Sequence, residues 1–172
     1  MRGSPKAIFF DRDGVLNKDD GYVHDMAHLR WVEGAREAVA RLSKEGWLLF
    51  VVTNQSGVAR GYYTEQDVQK LHQEMNEEFQ KYGGHITEFF YCPHLPGAPI
   101  AAYDKVCYCR KPEPGMILKA LNKYGISKEN AVLFGDGARD IEAACRAGII
   151  GFLFSGGNLD TFIQEKLESK EN

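Results

Sequence analysis

The stretch Ala7-Ile8-Phe9-Phe10 is apolar throughout and runs straight into Asp11-Arg12-Asp13-Gly14. A short apolar run that stops so abruptly reads as a strand buried on both faces, the kind found inside a parallel sheet. The two aspartates then fall at or just past its C-terminal end, where open α/β sheets place their ligand sites. Alternation along an extended chain turns both carboxylates the same way. At that spacing they repel, and a hard divalent cation relieves the repulsion, Mg²⁺ being the usual one beside a phosphate. One carboxylate can then serve as nucleophile and the other as general acid and base. The same letters also spell a strand followed by an Asp-Gly turn with solvated acids, so the rest of the chain has to decide.

The rest of the chain alternates strands and helices. Helices are expected over 34–44, from 64 to Gly83-Gly84, from Pro114 to Gly125, over 138–147 and over 159–167, with strands over 47–52, 89–92, 131–134 and 149–154. Thr64 followed by Asp67 resembles a capping box, Val68, Leu71, Met75 and Phe79 make a core stripe, and Asn158 suits an N-cap. This alternation predicts an α/β fold, a three-layer Rossmann-like parallel sheet with flanking helices, in one domain over residues 1–172. A net charge of −3 without a basic tract argues against a nucleic-acid surface. No apolar run approaches a membrane span and no signal peptide precedes the first strand, so a cytoplasmic enzyme is expected.

Three later segments echo the opening. The second strand ends Thr53-Asn54-Gln55-Ser56-Gly57, offering a hydroxyl and backbone N–H groups to phosphate oxygens. Arg110-Lys111 stands just ahead of a helix, where Lys111 can neutralise a phosphoryl group and Arg110 can grip a second anion with its fork. The fourth strand ends Gly135-Asp136, with Asp140 on the next helical turn. Asp136 completes a Mg²⁺ shell, and Asp140 either supports it from behind or stabilises the helix start. No G-x-x-x-x-G-K-[ST] occurs, which sets a P-loop aside.

These parts, in this order and each at a strand end or helix start, resemble the haloacid dehalogenase (HAD) superfamily. The resemblance implies that Asp11 attacks phosphorus and forms an aspartyl-phosphate, and that Asp13 protonates the leaving oxygen and then activates water. It also implies that Thr53 and Lys111 hold the phosphoryl group, and that Asp11, the Asp13 carbonyl and Asp136 bind Mg²⁺.

Residues 93–114 form a long irregular stretch, which needs a special reason in a compact domain. Cys92-Pro93-His94 and Cys107-Tyr108-Cys109 flank it. Three thiolates and an imidazole suit tetrahedral Zn²⁺, and a full set of four ligands leaves no open position, so such a zinc is structural. The alternatives are three unrelated thiols with a stray histidine, or a redox pair, which the C-x-C spacing disfavours. Cys145 is expected to be a small buried hydrophobe.

The cysteine loop narrows the resemblance to the capless, zinc-containing HAD branch of heptose bisphosphate and histidinol-phosphate phosphatases. Phe9 to Gly14, Asp20 to His24, Val51 to Gly61, Tyr91 to His94 and Cys107 to Pro112 carry it. It implies no large cap domain, and substrate contacts from Asp19, Asp20, Gly21 and Tyr22, from Asn54, Gln55 and Ser56, and from Arg110. It further implies a monomer acting on a small phosphorylated sugar, heptose 1,7-bisphosphate cleaved at C7, with histidinol phosphate as the alternative. One departure stands out: Gly137 follows Asp136 where the heptose enzymes carry lysine. That change keeps a third expectation open, a weakly catalytic, zinc-stabilised phosphate-binding protein.

Overall fold

The computed structural model describes residues 3–172. Five strands, β1 (Ala7–Phe10), β2 (Leu48–Asn54), β3 (Glu88–Cys92), β4 (Ala131–Gly135) and β5 (Ile150–Leu153), form one sheet in the order β3-β2-β1-β4-β5. All neighbours are parallel, and central Phe9 lies opposite Phe50 on one side and Leu133 on the other. The chain reverses its direction of winding beside β1, which makes the C-terminal end of β1 a topological switch point.

The helices are α1 (Ala35–Lys44), α2 (Gly57–Arg60), α3 (Glu65–Lys81), α4 (Gly115–Tyr124), α5 (Ala138–Ala147) and α6 (Leu159–Glu171). Strand alternation divides the core into two layers. Ile8 and Phe10 pack with α1, α3 and α6 through Val39, Leu71, Met75 and Ile163, whereas Ala7 and Phe9 pack with α4 and α5 through Ile117, Leu121 and Ala144. The three-layer expectation is met. Thr64 accepts from the Asp67 N–H, the Asp67 carboxylate accepts from the Thr64 N–H, and Asn158 caps α6 through the Thr161 N–H. Among the described residues no inserted domain covers the strand ends.

Cys145 corrects the sequence reading, because it is exposed. The buried positions of α5 are Asp140, Ala143, Ala144 and Ala147. Those spacings, three, four and seven from Asp140, make one helical stripe. Drawing Asp140 inward therefore sets the rotation of the helix and swings Cys145 out.

Candidate active site

Strand parity sorts the charges of the opening motif. Asp11 continues the Ala7–Phe9 side and meets α5, whereas Arg12 continues the Ile8–Phe10 side and runs beneath α3. The Asp11 N–H still donates to the Phe134 carbonyl, so the residue is held as the last rung of the sheet. Its Oδ1 accepts from the Arg12 N–H at 2.8 Å and from Lys111 Nζ at 3.0 Å. Among the described residues no nitrogen donates to Oδ2.

Lys111 is 2 % exposed. Its ammonium has three protons and three acceptors: Asp11 Oδ1, the Val52 carbonyl at 2.8 Å and Asp140 Oδ1 at 2.6 Å. Burial pulls its pKa down, and the two carboxylates outweigh that and hold it above the usual lysine range. Asp140 stabilises the helix start, one of its two expected roles, and adds a contact to Lys111. One oxygen holds Lys111, while the other accepts the N–H groups of Asp136 and Gly137 at 3.2 Å each and so caps α5. Burial pushes Asp11 up to about 8, with Lys111 opposing and Asp140 adding to the rise. Partial desolvation also raises Asp136, although that residue is exposed.

Three acids against one lysine leave an excess of negative charge. Asp11, Asp136 and Asp140 each bring a carboxylate oxygen within 4.8 Å of the others. Two glycines allow this approach. A Cβ on Gly14, whose φ is +89°, would lie 1.9 Å from Asp136 Oδ2, and one on Gly135 would lie 2.2 Å from Asp140 Cβ. An all-oxygen set of this charge fits Mg²⁺.

Asp13 is held on both oxygens. Oδ1 accepts from Arg12 Nε and Nη2 at 3.2 and 3.0 Å and from Asn17 Nδ2 at 2.9 Å; Oδ2 accepts from Gln55 Nε2 at 3.2 Å. The same Gln55 Nε2 donates to Thr53 Oγ1 at 2.8 Å, and Tyr63 donates its hydroxyl to Gln55 Oε1 at 2.6 Å. Burial pushes the Tyr63 phenol up to about 12, so it keeps the proton it donates. Thr53 is thus buried beneath Gln55. Arg12, fully buried, also donates to the Val23 carbonyl at 2.6 Å and meets His72 Nε2 at 3.2 Å.

Above this floor lies a cleft of about 370 Å³. Asp11 and Asp13 form its base, Asp19, Gly21 and Tyr22 one wall, and Asn54, Gln55 and Ser56 another. Arg60, Tyr63, Arg110, Lys111 and Arg139 complete it. Asp20 turns instead to Arg30, which grips both of its oxygens at 2.5 and 2.8 Å. Tyr22 stands in the left-handed region at φ 52° directly after Gly21 at φ 86°. Its ring meets Tyr62 edge-on at 4.9 Å and carries the Arg60 guanidinium over its face at 5.8 Å.

The cysteine loop starts from the end of β3. Cys92 Sγ lies 2.8 Å from Cys109 Sγ and 3.5 Å from both Cys107 Sγ and His94 Nδ1. Cys109 Sγ is 3.4 Å from Cys107 Sγ and 3.3 Å from His94 Nδ1. Tetrahedral zinc with Zn–S of ~2.3 Å has edges of about 3.8 Å, so four soft donors already converge nearly to that size. The Cys92 hydrogen bond draws the Cys109 thiol down to about 5, and the same contact pushes Cys92 up. The donor set fits Zn²⁺. From Cys109 the chain steps to Arg110, which donates to the His94 carbonyl at 3.2 Å, and then to Lys111. The Asn54 side chain pairs with both the N–H and the carbonyl of Lys111, at 3.0 and 3.1 Å. The loop has a second anchor that its sequence did not reveal: Glu65 accepts the hydroxyls of Tyr91 and Tyr103, each at 2.8 Å.

Arg12, His72, Tyr63 and Arg139 are the additions that structure makes to the sequence reading. Parity could have found Arg12, since a residue between two cleft-facing acids points the other way. His72 sits one place after Leu71 in the core stripe, so the helical period reaches it.

The HAD-hydrolase-like family model matches residues 108–170. A D-glycero-β-D-manno-heptose-1,7-bisphosphate 7-phosphatase of Rhodopseudomonas palustris is 42 % identical over 161 residues, covering 94 % of this chain and 89 % of the relative. The enzyme of the same name from Vibrio cholerae is 46 % identical over 143 residues, covering 83 % and 77 %. In three dimensions the chain is similar to the crystal structure of D,D-heptose 1,7-bisphosphate phosphatase from B. bronchiseptica complexed with magnesium and phosphate. That match has a TM-score of 0.80 at 34 % identity and covers 93 % of this chain and 86 % of the other. With relatives this similar along nearly its whole length, the chain belongs to the heptose-1,7-bisphosphate 7-phosphatase family of HAD-like hydrolases.

Proposed function

We propose that this enzyme removes the C7 phosphate of D-glycero-D-manno-heptose 1,7-bisphosphate. The observation that carries the reading is Asp11 at the base of the cleft, its Oδ1 fixed by Lys111 and its Oδ2 receiving no nitrogen donor among the described residues. The relatives that bear this name span most of the chain. Asp11 Oδ2 attacks phosphorus while the bond from phosphorus to the C7 oxygen breaks, and Asp13 gives that oxygen its proton. Asp13, now a carboxylate, takes a proton from water. The resulting hydroxide displaces Asp11 from phosphorus and releases phosphate. Arg12, Asn17 and Gln55 keep the Asp13 carboxyl aimed through both steps. Lys111, with Thr53 behind Gln55, holds the phosphoryl side of the cleft.

Mg²⁺ held by Asp11, the Asp13 carbonyl and Asp136 supplies charge neutralisation for the attacking and transferring oxygens. Asp140 fixes the Asp136 turn from below. Cys92, His94, Cys107 and Cys109 hold a structural Zn²⁺ that sets the path of the loop into Arg110 and Lys111. Asp19, Gly21, Tyr22, Asn54, Ser56 and Arg110 face the sugar, and Asp20 shapes that wall through Arg30. A zinc–thiolate site needs reduced cysteines, which supports a cytoplasmic setting.

The test is phosphate release from the heptose bisphosphate and from histidinol phosphate, with Mg²⁺ or with EDTA, in wild type and Asp11→Asn. Release from the heptose substrate that needs both Mg²⁺ and Asp11 is expected. Faster release from histidinol phosphate, or turnover by Asp11→Asn, overturns the substrate or the covalent step respectively.

A further inference from the structure

Among the described residues, each arginine away from the cleft wall holds a carboxylate. Arg12 pairs with Asp13, Arg30 with Asp20, Arg36 with Glu78, Arg41 with Glu45 and Asp160, and Arg146 with Glu113 and Glu142. Arg60, Arg110 and Arg139 hold none within 4.0 Å, and all three line the cleft above Asp11. Acids are not scarce in this chain, which has 24 Asp and Glu against 21 Lys and Arg. Three guanidinium groups with no carboxylate in ion-pair reach line one opening, and each can pair with an anion that enters it.

Lys111 does not compete for that anion. It is buried in the floor, with all three protons given to Asp11, Asp140 and the Val52 carbonyl. The arginines stand nearer the mouth and serve a second anionic group, away from the reacting one. Arg110 was singled out from the sequence for this work; Arg139 was not. It lies on the first turn of α5, where the helix field disfavours a cation. The Asp136 carboxylate lies near enough to feel the Arg139 charge, but makes no ion pair with it within 4.0 Å. Gly137 contributes no side chain, although a Cβ at that place would come no closer than 3.9 Å to its nearest neighbour, Asp140 Oδ2. Arg139 is the one cation that the α5 turn brings to the cleft.

We propose that Arg139 is a specificity-determining residue whose guanidinium binds the non-reacting phosphate of a doubly phosphorylated substrate, in the cleft that it lines with Arg60 and Arg110. This rests on the phosphatase reading above. Guanidinium–phosphate bonds of this kind are charge-assisted and can be bidentate. Their loss acts on binding of the far group and leaves the chemistry at Asp11 in place.

The experiment compares wild type, Arg139→Ala and Arg139→Lys on the heptose 1,7-bisphosphate and on the same sugar carrying only the C7 phosphate. Arg139→Ala is expected to lose roughly 10- to 100-fold in kcat/KM on the bisphosphate, mostly through KM. On the monophosphate its loss stays below about threefold, and Arg139→Lys recovers part of the bisphosphate rate. Equal losses on the two sugars, or no loss on either, overturn the proposal while leaving the phosphatase reading intact. A wild type that does not favour the bisphosphate refutes the two-phosphate substrate itself, and with it the role of Arg139. Thermal melting of each variant separates either result from misfolding.

Discussion

The floor of the cleft and the cysteine loop place their charges by opposite means. Asp11 and Asp136 sit at the ends of β1 and β4, and backbone pairing locates them to the rung: the Asp11 N–H reaches the Phe134 carbonyl, and Phe10 lies opposite Phe134. Residues 93–114 contain only the 3₁₀ turn Ala101–Tyr103, so no ladder or regular helix locates Lys111. It is located by the Cys92–His94–Cys107–Cys109 cluster two residues before it, and by the paired hydrogen bonds with Asn54. A sheet can supply carboxylates at its strand ends, but the cation that joins them must arrive from outside the sheet. The Cys/His cluster substitutes for secondary structure where the chain leaves the sheet and must still end within ångströms of its target.

Removing the cation is the largest perturbation of this arrangement. In Lys111→Met, Asp11 and Asp140 face one another in the buried floor with no cation between them. Breaking a buried ion pair by deleting one member costs about 3–5 kcal/mol, so thermal stability falls and phosphate release falls by at least roughly 10³-fold. Asp11→Asn acts oppositely on stability. It deletes a charge that burial already disfavours, as the rise of Asp11 to about 8 records. Its melting temperature is expected to stay within about 4 °C of wild type, or to rise, while turnover disappears. Circular dichroism melts with phosphate-release assays separate the two. A Lys111→Met protein as stable as Asp11→Asn would mean that the floor acids are neutral, and that the lysine is not what balances them.

Loosening the loop comes next. Cys107→Ser removes one of four donors, and the expected result is lost zinc with the sheet still formed. Hydrogen exchange should rise within 93–114 while the amides of β1 and β4 stay protected. Activity falls by roughly 10²-fold, the scale of a reacting group displaced by ~1 Å, because Lys111 follows Cys109 out of place. Unchanged zinc content, exchange and activity would break the contrast between the two regions. Asn54 and the Val52 carbonyl would then suffice to place the lysine.

What could be read from the sequence follows the same division. Strand ends were legible because periodicity locates them, and Asp11, Asp13 and Asp136 came with them. The convergence of Cys92, His94, Cys107 and Cys109 was legible because their spacing is chemical. Links between distant segments were not. Nothing local shows that Asp140 shares Lys111, 29 positions away, or that Arg12 meets His72, 60 positions away. Cys145 was misjudged for the same reason: the inward pull on Asp140 that rotates α5 comes from another element. The Tyr103–Glu65–Tyr91 tie likewise joins a loop residue to a helix start and a strand. Arg139 escaped because an exposed arginine on a helix is unremarkable until it is seen to line the cleft without an ion pair.

The smallest effect concerns the support behind Asp13. His72 is buried, stacks on Phe89 at 4.5 Å and offers Nε2 to Arg12. Burial, and then the adjacent Arg12 charge, hold its pKa well below the usual 6.5. The folded protein therefore keeps His72 neutral where the unfolded chain would protonate it. As pH falls through 6.5, the unfolded state binds the extra proton and stability drops, with a slope approaching about 1.4 kcal/mol per pH unit. Above 6.5 both states are neutral at this residue and its contribution is flat. His72→Gln still offers Arg12 an acceptor but cannot titrate. Its urea midpoint between pH 7 and pH 5 should decline less than that of wild type, and turnover at pH 7 should stay within roughly twofold. An identical acid decline in the two proteins would place the proton uptake elsewhere. A large turnover loss in His72→Gln at pH 7 would instead show that the Arg12 strut depends on an imidazole, so that even the half of the site located by the sheet needs a side chain from α3 to aim its acid.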